Sequence, residues 1–397
     1  MDIYSGYQKH FSNPMGVAAV KHIFNDEPGP GDDDELTVYG INAGAREVIY
    51  NTSRFSLGFF KQWESGAFTA PIGIAADPNG WVAVSDMRKN HIVYLRNELN
   101  ALVYVKTVKL QEMTPSFQSP CGVAIEEDKL YVADSGNNRL VVLDSEGEYL
   151  NSIDGCEGSF RFLQPFAVAV ITEPVWNHYQ SRFIVVTDSL QQRLSKLTMD
   201  GVPLAIRRFT EVSANPGGFY FVAVDYYSNV YATDTLGGCI YNFDRHLNYV
   251  ARFVCCSNPG AELDSPRGIA IHRRFGQIFV AERSGASYFW IGTDIVGLSC
   301  EAELIGSTVA LDVRFSLTEQ SEATICLEDG RKNVIHIFDK NSFTPPGIVM
   351  RHFSLERQTL PCELADCMYY LTVMAKATYS SKKYLEVMKR VQVRIKE

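Results

Sequence analysis

The sequence lacks the signals of export and of membrane insertion. No apolar run approaches the roughly 18 residues of a membrane-spanning helix, and the first residues, MDIYSGYQKHFSNP, contain no apolar core of signal-peptide length. Basic residues are fewer than acidic ones, 37 against 46, which leaves a formal net charge of −9. Because broad contact with phosphate backbones or anionic lipid needs a basic surface, we expect a cytoplasmic protein with no membrane partner, for which nucleic acid is an unfavoured ligand.

Common catalytic and redox motifs are absent as well. The 397 residues contain no Gly-x-Ser-x-Gly elbow, no HExxH, no phosphate loop and no CxxC pair, and the eight histidines form no closely spaced metal-binding pair. The nine cysteines are an odd number and are scattered, which is typical of reduced thiols rather than of a disulfide framework. These absences leave open whether the protein is an enzyme, and they favour a function that needs no dedicated catalytic motif.

What the sequence does contain is an internal repeat. A Pro-x-Gly-Val-Ala motif or a variant of it, the fifth copy being the loosest, begins at six prolines: Pro14, Pro71, Pro120, Pro165, Pro216 and Pro266. Successive prolines are 57, 49, 45, 51 and 50 residues apart, and further apolar runs follow each motif. A last, degenerate unit, VALDVRF with ATICLEDGRKNVIHIFD, lacks the Pro-x-Gly start. The sequence therefore predicts seven units.

The repeat predicts a β-propeller, because each unit offers about four short β-rich runs separated by turn residues. A lone four-stranded sheet leaves its faces and edges unsatisfied, whereas radial packing of such sheets buries the faces. We expect an all-β propeller of four-stranded blades over residues 1–345, with seven blades by unit count and six as the alternative. Residues 346–397 form an extension, in which period-two alternation over 385–395 predicts a β-hairpin with 368–378 that packs on the propeller or closes it.

One unit resembles a known repeat family. The stretch PCGVAI…KLYVADSGNNRLVVLDSEGEYLNSI resembles an NHL repeat, and the resemblance spans roughly residues 14–340, with the first and last copies the poorest matches. The family pattern places Pro-x-Gly-Val-Ala on the innermost strand, Val-Ala-Asp at the end of the second, and a Gly-Asn-x-Arg turn after it. Arg139 and Arg193 match the basic residue of that turn, where the second unit has His91. The resemblance implies a propeller of usually six blades, so a count of seven departs from it.

An acid or a substitute recurs at the end of the second run of the units: Asp86, Asp134, Asp188, Asp234, Glu282 and Glu328. An Asp at a strand end can accept hydrogen bonds from turn N–H groups and pair with an Arg beyond the turn. Repetition also spreads these acids around the ring instead of bringing them together. We therefore predict an architectural role for all six.

A second polar set lies at the end of the predicted innermost strands, at one mouth of the central channel: Asp77, Glu126, Thr172, Asp225, His272 and Asp312. Converging acids and a histidine would hold a divalent cation, Ca²⁺ or Zn²⁺, if about three of them lay within coordination distance. This is the alternative function, a metal-dependent lyase or hydrolase, which the resemblance implies because some related propellers have such activities. No histidine set like that of the family's amidating lyases aligns here.

Loops at a propeller rim carry most recognition, and residues 173–181, EPVWNHYQS, lengthen the first connection of the fourth unit. Trp176, His178 and Tyr179 are therefore candidate contacts with a protein partner. The function that the sequence favours is a protein-interaction scaffold that uses a loop-rich face. Single-stranded RNA binding, known for NHL domains with a basic face, is disfavoured by the net charge of −9. No motif identifies the partner or the oligomeric state.

Overall fold

A computed structural model of the chain describes residues 11–25, 36–52, 56–99, 101–110, 115–155, 160–172, 176–190, 192–254, 263–360, 368–379 and 385–396. These residues form β-strands and a few single 3-10 turns, at Ile23–Asn25, Ser135–Asn137, Phe209–Glu211 and Arg357–Thr359. Within the described ranges no helix has the length and apolar character needed to cross a membrane. The chain divides into two compact units, residues 1–273 with 277–289 and residues 274–276 with 290–397. The predicted all-β fold is confirmed.

The first unit consists of six antiparallel sheets that follow one another along the chain. The first sheet contains β1 (Pro14–Lys21), β2 (Leu36–Asn42), β3 (Glu47–Asn51) and β4 (Leu57–Phe60), and a small hairpin of β5 (Gln62–Trp63) and β6 (Gly66–Ala67) follows it. The second contains β7 (Pro71–Ala76), β8 (Trp81–Asp86), β9 (His91–Glu98) and β10 (Ala101–Val108). The third contains β11 (Pro120–Glu126), β12 (Lys129–Asp134), β13 (Arg139–Asp144) and β14 (Tyr149–Ile153).

The last three sheets of this unit have the same plan. The fourth contains β15 (Pro165–Ile171), β16 (Phe183–Asp188), β17 (Arg193–Leu197) and β18 (Pro203–Arg208). The fifth contains β19 (Val222–Val224), β20 (Val230–Asp234), β21 (Cys239–Phe243) and β22 (Tyr249–Phe253). The sixth has three strands, β23 (Ile269–His272), β24 (Gln277–Glu282) and β25 (Gly285–Trp290). In each sheet the strands pair in chain order, so the first strand lies at one edge.

The first strands of the six sheets contact one another in a closed cycle. The contacts run from β1 to β7, β11, β15, β19 and β23, and from β23 back to β1. Sheets arranged in this way around an axis are the blades of a propeller, and their first strands are innermost. We number the blades 1 to 6. Each innermost strand ends on one side of the ring, here called the AB side, and begins on the other, the BC side, where the turn between the second and third strands also lies.

Glycine in the Pro-x-Gly motif allows neighbouring innermost strands to approach closely. A Cβ atom on Gly16 would lie 2.7 Å from the carbonyl oxygen of Ile72 in the next blade, and one on Gly122 would lie 2.6 Å from Cα of Ala167. Backbone cannot yield to such an overlap as a flexible side chain can, so these positions require glycine. Four glycines face the next blade in this way: Gly16, Gly73, Gly122 and Gly268.

Three side-chain hydroxyls provide a second link between blades. They belong to the residue before the recurring acid: Ser85, Thr187 and Thr233. Each accepts a hydrogen bond from a backbone N–H of its own blade's inner segment and donates one to a backbone carbonyl of the next blade. For Thr187 these distances are 2.9 Å from Ala167 N and 2.8 Å to Tyr220 O.

The same hydrogen bond aligns blade 5 with the others. Phe221 N–H donates to Thr233 at 3.0 Å, as Gly73 N–H donates to Ser85 at 2.9 Å in blade 2. Phe221 therefore stands at the glycine position of blade 5, and Tyr220 stands at the variable position before it. The looser copy assigned to Pro216 is thus displaced along the chain. Blade 4 has Ala167 at the glycine position, so blades 4 and 5 lack the motif's glycine.

The second unit is a sandwich of two four-stranded sheets, ordered β30-β27-β26-β33 and β29-β28-β31-β32. Its strands are β26 (Ile295–Ile305), β27 (Thr308–Leu317), β28 (Ser321–Asp329), β29 (Val334–Thr344), β30 (Gly347–Glu356), β31 (Tyr369–Ala377), β32 (Glu386–Val393) and β33 (Ile395–Lys396). The facing sides share one apolar core, in which Leu311, Phe315, Leu371 and Val373 are almost completely buried.

The unit counted as a seventh blade lies in this sandwich, and the ring has six blades, the alternative count. The run VALDVRF belongs to β27, which pairs with β26 and β30, whereas the run ATICLED belongs to β28, which pairs with β29 and β31. The two runs are therefore in different sheets, although a blade would make them neighbours. Alternating polarity marks a half-buried strand in either architecture, so it did not distinguish them.

The chain therefore divides near residue 290 and not at the predicted boundary of 345. The predicted terminal hairpin is present as β31 and β32, paired from Tyr369↔Val393 to Lys376↔Glu386. Its first strand, β31, also pairs with β28 and is an inner strand of that sheet, whereas β32 is the edge strand. Its predicted role in covering or closing the propeller stays a prediction.

The close approach of the innermost strands predicts that alanine substitution lowers the stability at one glycine of the first unit and has little effect at another. Gly73→Ala should lower the free energy of unfolding by about 1–3 kcal/mol, because the added methyl group would overlap the Cys121 carbonyl and Gly122 Cα. Gly40→Ala in β2 should change it by less than about 1 kcal/mol, since no atom lies within 4 Å of the new Cβ. Urea unfolding of both variants measures the difference, and equal losses would contradict the strand-contact account.

Candidate functional site

The recurring acids hold the BC side of the ring together. Asp134 accepts hydrogen bonds from Gln118 N–H of the preceding connection at 2.7 Å and from Arg139 of the following strand at 2.9 Å. Asp188 and Arg193 make the equivalent ion pair at 3.1 Å. Both carboxylates are completely buried, so these donors replace the hydration that burial removes.

The other recurring acids are also engaged. Asp86, Asp234 and Glu282 accept backbone N–H groups of adjacent turns or connections at 2.6, 3.0 and 2.6 Å. Burial raises the pKa of Asp234, and its N–H partners oppose that rise. Glu328 lies in the second unit, where it pairs with Arg390 at 3.0 Å. The architectural role of the recurring acids stays a prediction, and Glu328 is not part of the ring to which that prediction applied.

Two acids of the predicted metal set form turns on the AB side. Asp77 accepts a hydrogen bond from Trp81 N–H at 2.8 Å, and burial raises its pKa. Asp225 accepts N–H groups of Tyr227 at 2.9 Å and Asn229 at 2.8 Å. These are the contacts of Asx turns, in which a side-chain oxygen caps the backbone of the next residues. The oxygens that would bind a cation are occupied by the turn itself.

Glu126, a third member of the set, is paired across the channel. Arg273 Nη1 lies 3.0 Å from Glu126 Oε1, and Arg273 Nη2 donates to Val170 O at 2.7 Å. Thr172 N–H also donates to Glu126 Oε1, at 3.0 Å. Glu126 ends the innermost strand of blade 3 and Arg273 follows that of blade 6, which are opposite blades in a ring of six. The AB mouth is therefore spanned by an ion pair.

The remaining members of the set do not join these residues in a metal site. His272 ends the innermost strand of blade 6, whereas Asp312 belongs to the second unit, where it lies 2.8 Å from His352 Nδ1. Asp312 was assigned to the channel because it ends a run that resembles an innermost strand, and that run is a sandwich strand instead. Across the part of the chain that the structure describes, no three His, Cys, Asp or Glu side chains are grouped so that they could hold a metal ion.

A buried histidine on the AB side, His22, is not marked by any motif of the sequence. His22 follows β1, is completely buried, and its Nε2 lies 2.7 Å from the hydroxyl of Tyr39. Asn97 Nδ2 donates to the same hydroxyl at 2.5 Å. Burial lowers the pKa of His22 to about 4, against weaker opposing contacts with the backbone of residues 77 and 78. The neutral imidazole is thus part of the packing of blades 1 and 2.

The ion pair across the mouth should be measurable as a coupling energy. Glu126 and Arg273 are 10% and 18% exposed, so we expect Glu126→Gln and Arg273→Met each to lower the free energy of unfolding by about 1–3 kcal/mol. The double variant should lose less than the sum, with a coupling of about 1 kcal/mol or more. The exposed pair Arg182–Glu127, at 3.6 Å, is the matched control and should give less than about 0.5 kcal/mol. Equal coupling in the two cycles would contradict the assignment.

His22 predicts a loss of stability in mild acid. The unfolded chain protonates this group near its ordinary pKa of 6.5, whereas the folded chain does so only near 4, so the unfolded state binds more protons between these values. The stabilisation is complete above about pH 6.5 and falls by up to about 2 kcal/mol by pH 5. Denaturant unfolding at several pH values should show a shallower dependence for His22→Gln than for the wild type. Parallel curves would show that His22 does not titrate as described.

The loop predicted to make partner contacts is fastened to the ring. Asn177 is 2% exposed, and its side chain donates to Ser181 O at 2.6 Å and accepts from Ser181 N–H at 3.0 Å. His178 N–H donates to Tyr226 O at 2.9 Å, which ties the loop of blade 4 to the first turn of blade 5. The loop is therefore held by both blades.

Aromatic rings gather around this attachment. The His178 ring centroid lies 4.7 Å from that of Tyr179, 5.7 Å from Tyr226 and 5.1 Å from Tyr227. The Arg245 guanidinium lies over the Tyr179 ring, 4.3 Å from its centroid. Together with the neighbouring tryptophan of the loop, these residues are here called the rim cluster: Trp176, His178, Tyr179, Tyr226, Tyr227 and Arg245.

Trp176 is the most conspicuous member of the rim cluster. It is 42% exposed, and its φ of 59° lies in the left-handed region that large side chains rarely adopt. Such backbone conformations persist where the surrounding structure imposes them and are found preferentially at binding sites. The structure thus brings His178 and Tyr179 together with three residues that the sequence did not reveal, because they come from the turns of another blade, and Trp176 precedes His178 and Tyr179 in the same loop.

Comparison with known proteins gives one family match and several similar folds. Residues 117–143 match the family model of the NHL repeat. A streptogramin B lyase structure is 12% identical with a TM-score of 0.48, covering 71% of this chain and 96% of that one. Kuenenia stuttgartiensis hydrazine synthase is 14% identical with a TM-score of 0.48, covering 78% and 79%. Regucalcin of Agrobacterium tumefaciens, a calcium-binding protein, is 11% identical with a TM-score of 0.44, covering 69% and 83%. A search of curated proteins finds no match.

Proposed function

We propose that this chain, whose first unit is a β-propeller carrying an NHL repeat, is an interaction module that binds a protein partner through the rim cluster on the AB side of blades 4 and 5. The single observation that carries the proposal is the gathering of Trp176, Tyr179 and Arg245 at an exposed rim. These three residue types are enriched among the residues that dominate the binding energy of protein interfaces: tryptophan and tyrosine bury a large rigid surface, and arginine adds a planar charged group with several hydrogen-bond donors.

Preorganisation of the loop supports the proposal. Asn177 fastens the loop internally, and His178 N–H attaches it to Tyr226 of the next blade. A contact surface that is already ordered before binding loses less conformational freedom when a partner docks. The stack of Arg245 on Tyr179 likewise holds both side chains in one arrangement.

The metal-dependent alternative has weaker support. Its carboxylates have competing partners: Asp77 and Asp225 accept backbone N–H groups, and Glu126 is paired with Arg273. A catalytic cation needs about three ligands and an open position. Recruiting those ligands would require breaking two turns and an ion pair. An interaction module requires no such rearrangement.

Substitution of the rim cluster tests the proposal. The wild type, Trp176→Ala, Tyr179→Ala and the control Leu236→Ala would be tagged and used for quantitative affinity capture from the cells that make the protein. Leu236 is 76% exposed and lies on the BC side, so its loss removes exposed apolar surface away from the rim. We expect at least one protein to be retained by the wild type and the control and lost by both rim variants.

Direct binding then decides the outcome. With the purified partner, Trp176→Ala should weaken binding by at least about tenfold, the effect of losing an interface hot spot, and Leu236→Ala should not. Retention of every specific partner by both rim variants, or loss through Leu236→Ala alone, would overturn the assignment to this rim.

A further inference from the structure

Each blade places one side chain at the BC mouth of the central channel, from the variable position of its motif. These six residues, here called the hub, are Met15, Ile72, Cys121, Phe166, Tyr220 and Arg267. Contacts around the axis connect them. The Arg267 guanidinium reaches Met15 Sδ at 3.5 Å, and the rings of Phe166 and Tyr220 stack with centroids 4.3 Å apart. The hub therefore combines apolar, aromatic and cationic side chains.

Exposure divides the hub into two halves. Met15, Ile72 and Cys121 are 5%, 9% and 3% exposed, whereas Phe166, Tyr220 and Arg267 are half-buried. The division coincides with the glycine positions, because the two half-buried aromatic residues come from blades 4 and 5, in which Ala167 and Phe221 stand in place of glycine.

The accessible half carries a positive charge, that of Arg267, for which the described part of the chain supplies no carboxylate partner. Arg267 uses Nη1 to reach the side-chain oxygen of Asn13, Pro14 O at 3.2 Å and Met15 Sδ. Its remaining guanidinium nitrogens have no partner in the described chain, and no described carboxylate forms a salt bridge with it. A partly desolvated cation without a paired anion is costly, and a bound anion would relieve that cost.

The same half carries a flat aromatic wall. Tyr220 stacks on Phe166 at an interplanar angle of 18°, and Phe221 meets both rings edge-on, at 5.3 and 5.4 Å. Tyr220 belongs to the blade between those of Phe166 and Arg267, so it lies between these two residues in the order of the blades. The Tyr220 hydroxyl donates to no group of the described chain and is available as a further polar contact. Burial raises the pKa of Tyr220, and the nearby Arg267 charge opposes the rise.

We propose that this half of the hub, formed by Phe166, Tyr220 and Arg267, is a binding site for a small planar carboxylate, an aromatic or heteroaromatic acid. The guanidinium nitrogens of Arg267 that contact no described residue bind the carboxylate, and the ligand ring packs on the face of Tyr220 turned away from Phe166. Both parts of the ligand are required, because the cation selects charge and the aromatic wall selects flatness. The site lies on the opposite side of the ring from the rim cluster and is independent of it.

Benzoate is the probe, and benzamide is its neutral isostere. A fragment of this size should bind the full chain with a Kd on the order of 1 mM in saturation-transfer NMR or calorimetry. Benzamide should bind at least about tenfold more weakly, since it lacks the charge that Arg267 recognises. In crystals soaked with 4-bromobenzoate, the anomalous bromine peak should lie beside Tyr220. These three measurements use the wild-type protein and need no variant to fold.

Variants test the assignment of the residues. Arg267→Gln keeps a donor for Asn13 and removes the charge, so benzoate binding should weaken by about tenfold or more. Tyr220→Leu should weaken benzoate and benzamide alike. Arg88→Gln, an exposed arginine in the BC-side turn of blade 2, is the matched control and should leave Kd unchanged. Equal affinities for benzoate and benzamide, no detectable binding of benzoate, a bromine peak elsewhere, or undiminished binding by Arg267→Gln would overturn the proposal.

Discussion

The ring depends on contact between the backbones of neighbouring innermost strands. At Gly16, Gly73, Gly122 and Gly268 a single Cβ atom would overlap the next strand, so the spacing of these blades is set by van der Waals contact of main-chain atoms. Such a limit is stiffer than one set by side chains, which can change rotamer. These backbone contacts set the spacing of the innermost strands from blade 6 to blade 1 and on through blades 2, 3 and 4. They also leave little space at the axis for the side chains beside these glycines.

The two blades without this glycine connect the architecture to both candidate surfaces. Blades 4 and 5 have Ala167 and Phe221 in place of the glycine, and their hub residues Phe166 and Tyr220 are half-buried instead of buried. The rim cluster on the AB side is built from blades 4 and 5 as well, through the attachment of His178 to Tyr226. A departure from the repeat thus coincides with the two proposed binding surfaces, one on each side of the ring, as expected where a sequence violates a structural rule for the sake of function.

The regular part of this fold could be predicted from the sequence because its determinants are local. A motif at a nearly constant spacing marks the blades, and the turn acids act within a few residues of their positions, as Asp134 does with Arg139. The hydroxyls of Ser85, Thr187 and Thr233 were detectable too, since each precedes a recurring acid, but their partners lie in the next blade. The false seventh blade arose from the opposite problem: β27 and β28 have blade-like polarity, and only their partner strands identify a sandwich.

The charge at the AB mouth shows why sites around an axis are harder to predict than the blades themselves. Sequence analysis placed Glu126 correctly at the end of an innermost strand, but its partner is 147 residues away in the opposite blade. Which blades lie opposite each other across the axis depends on the number of blades. Blade 3 faces blade 6 in a ring of six, whereas in a ring of seven it faces no single blade. A count of seven blades instead of six therefore hides Arg273 as the partner of Glu126. It also hides the reason why Glu126, which resembles a ligand for a metal cation, is already paired with a cationic side chain.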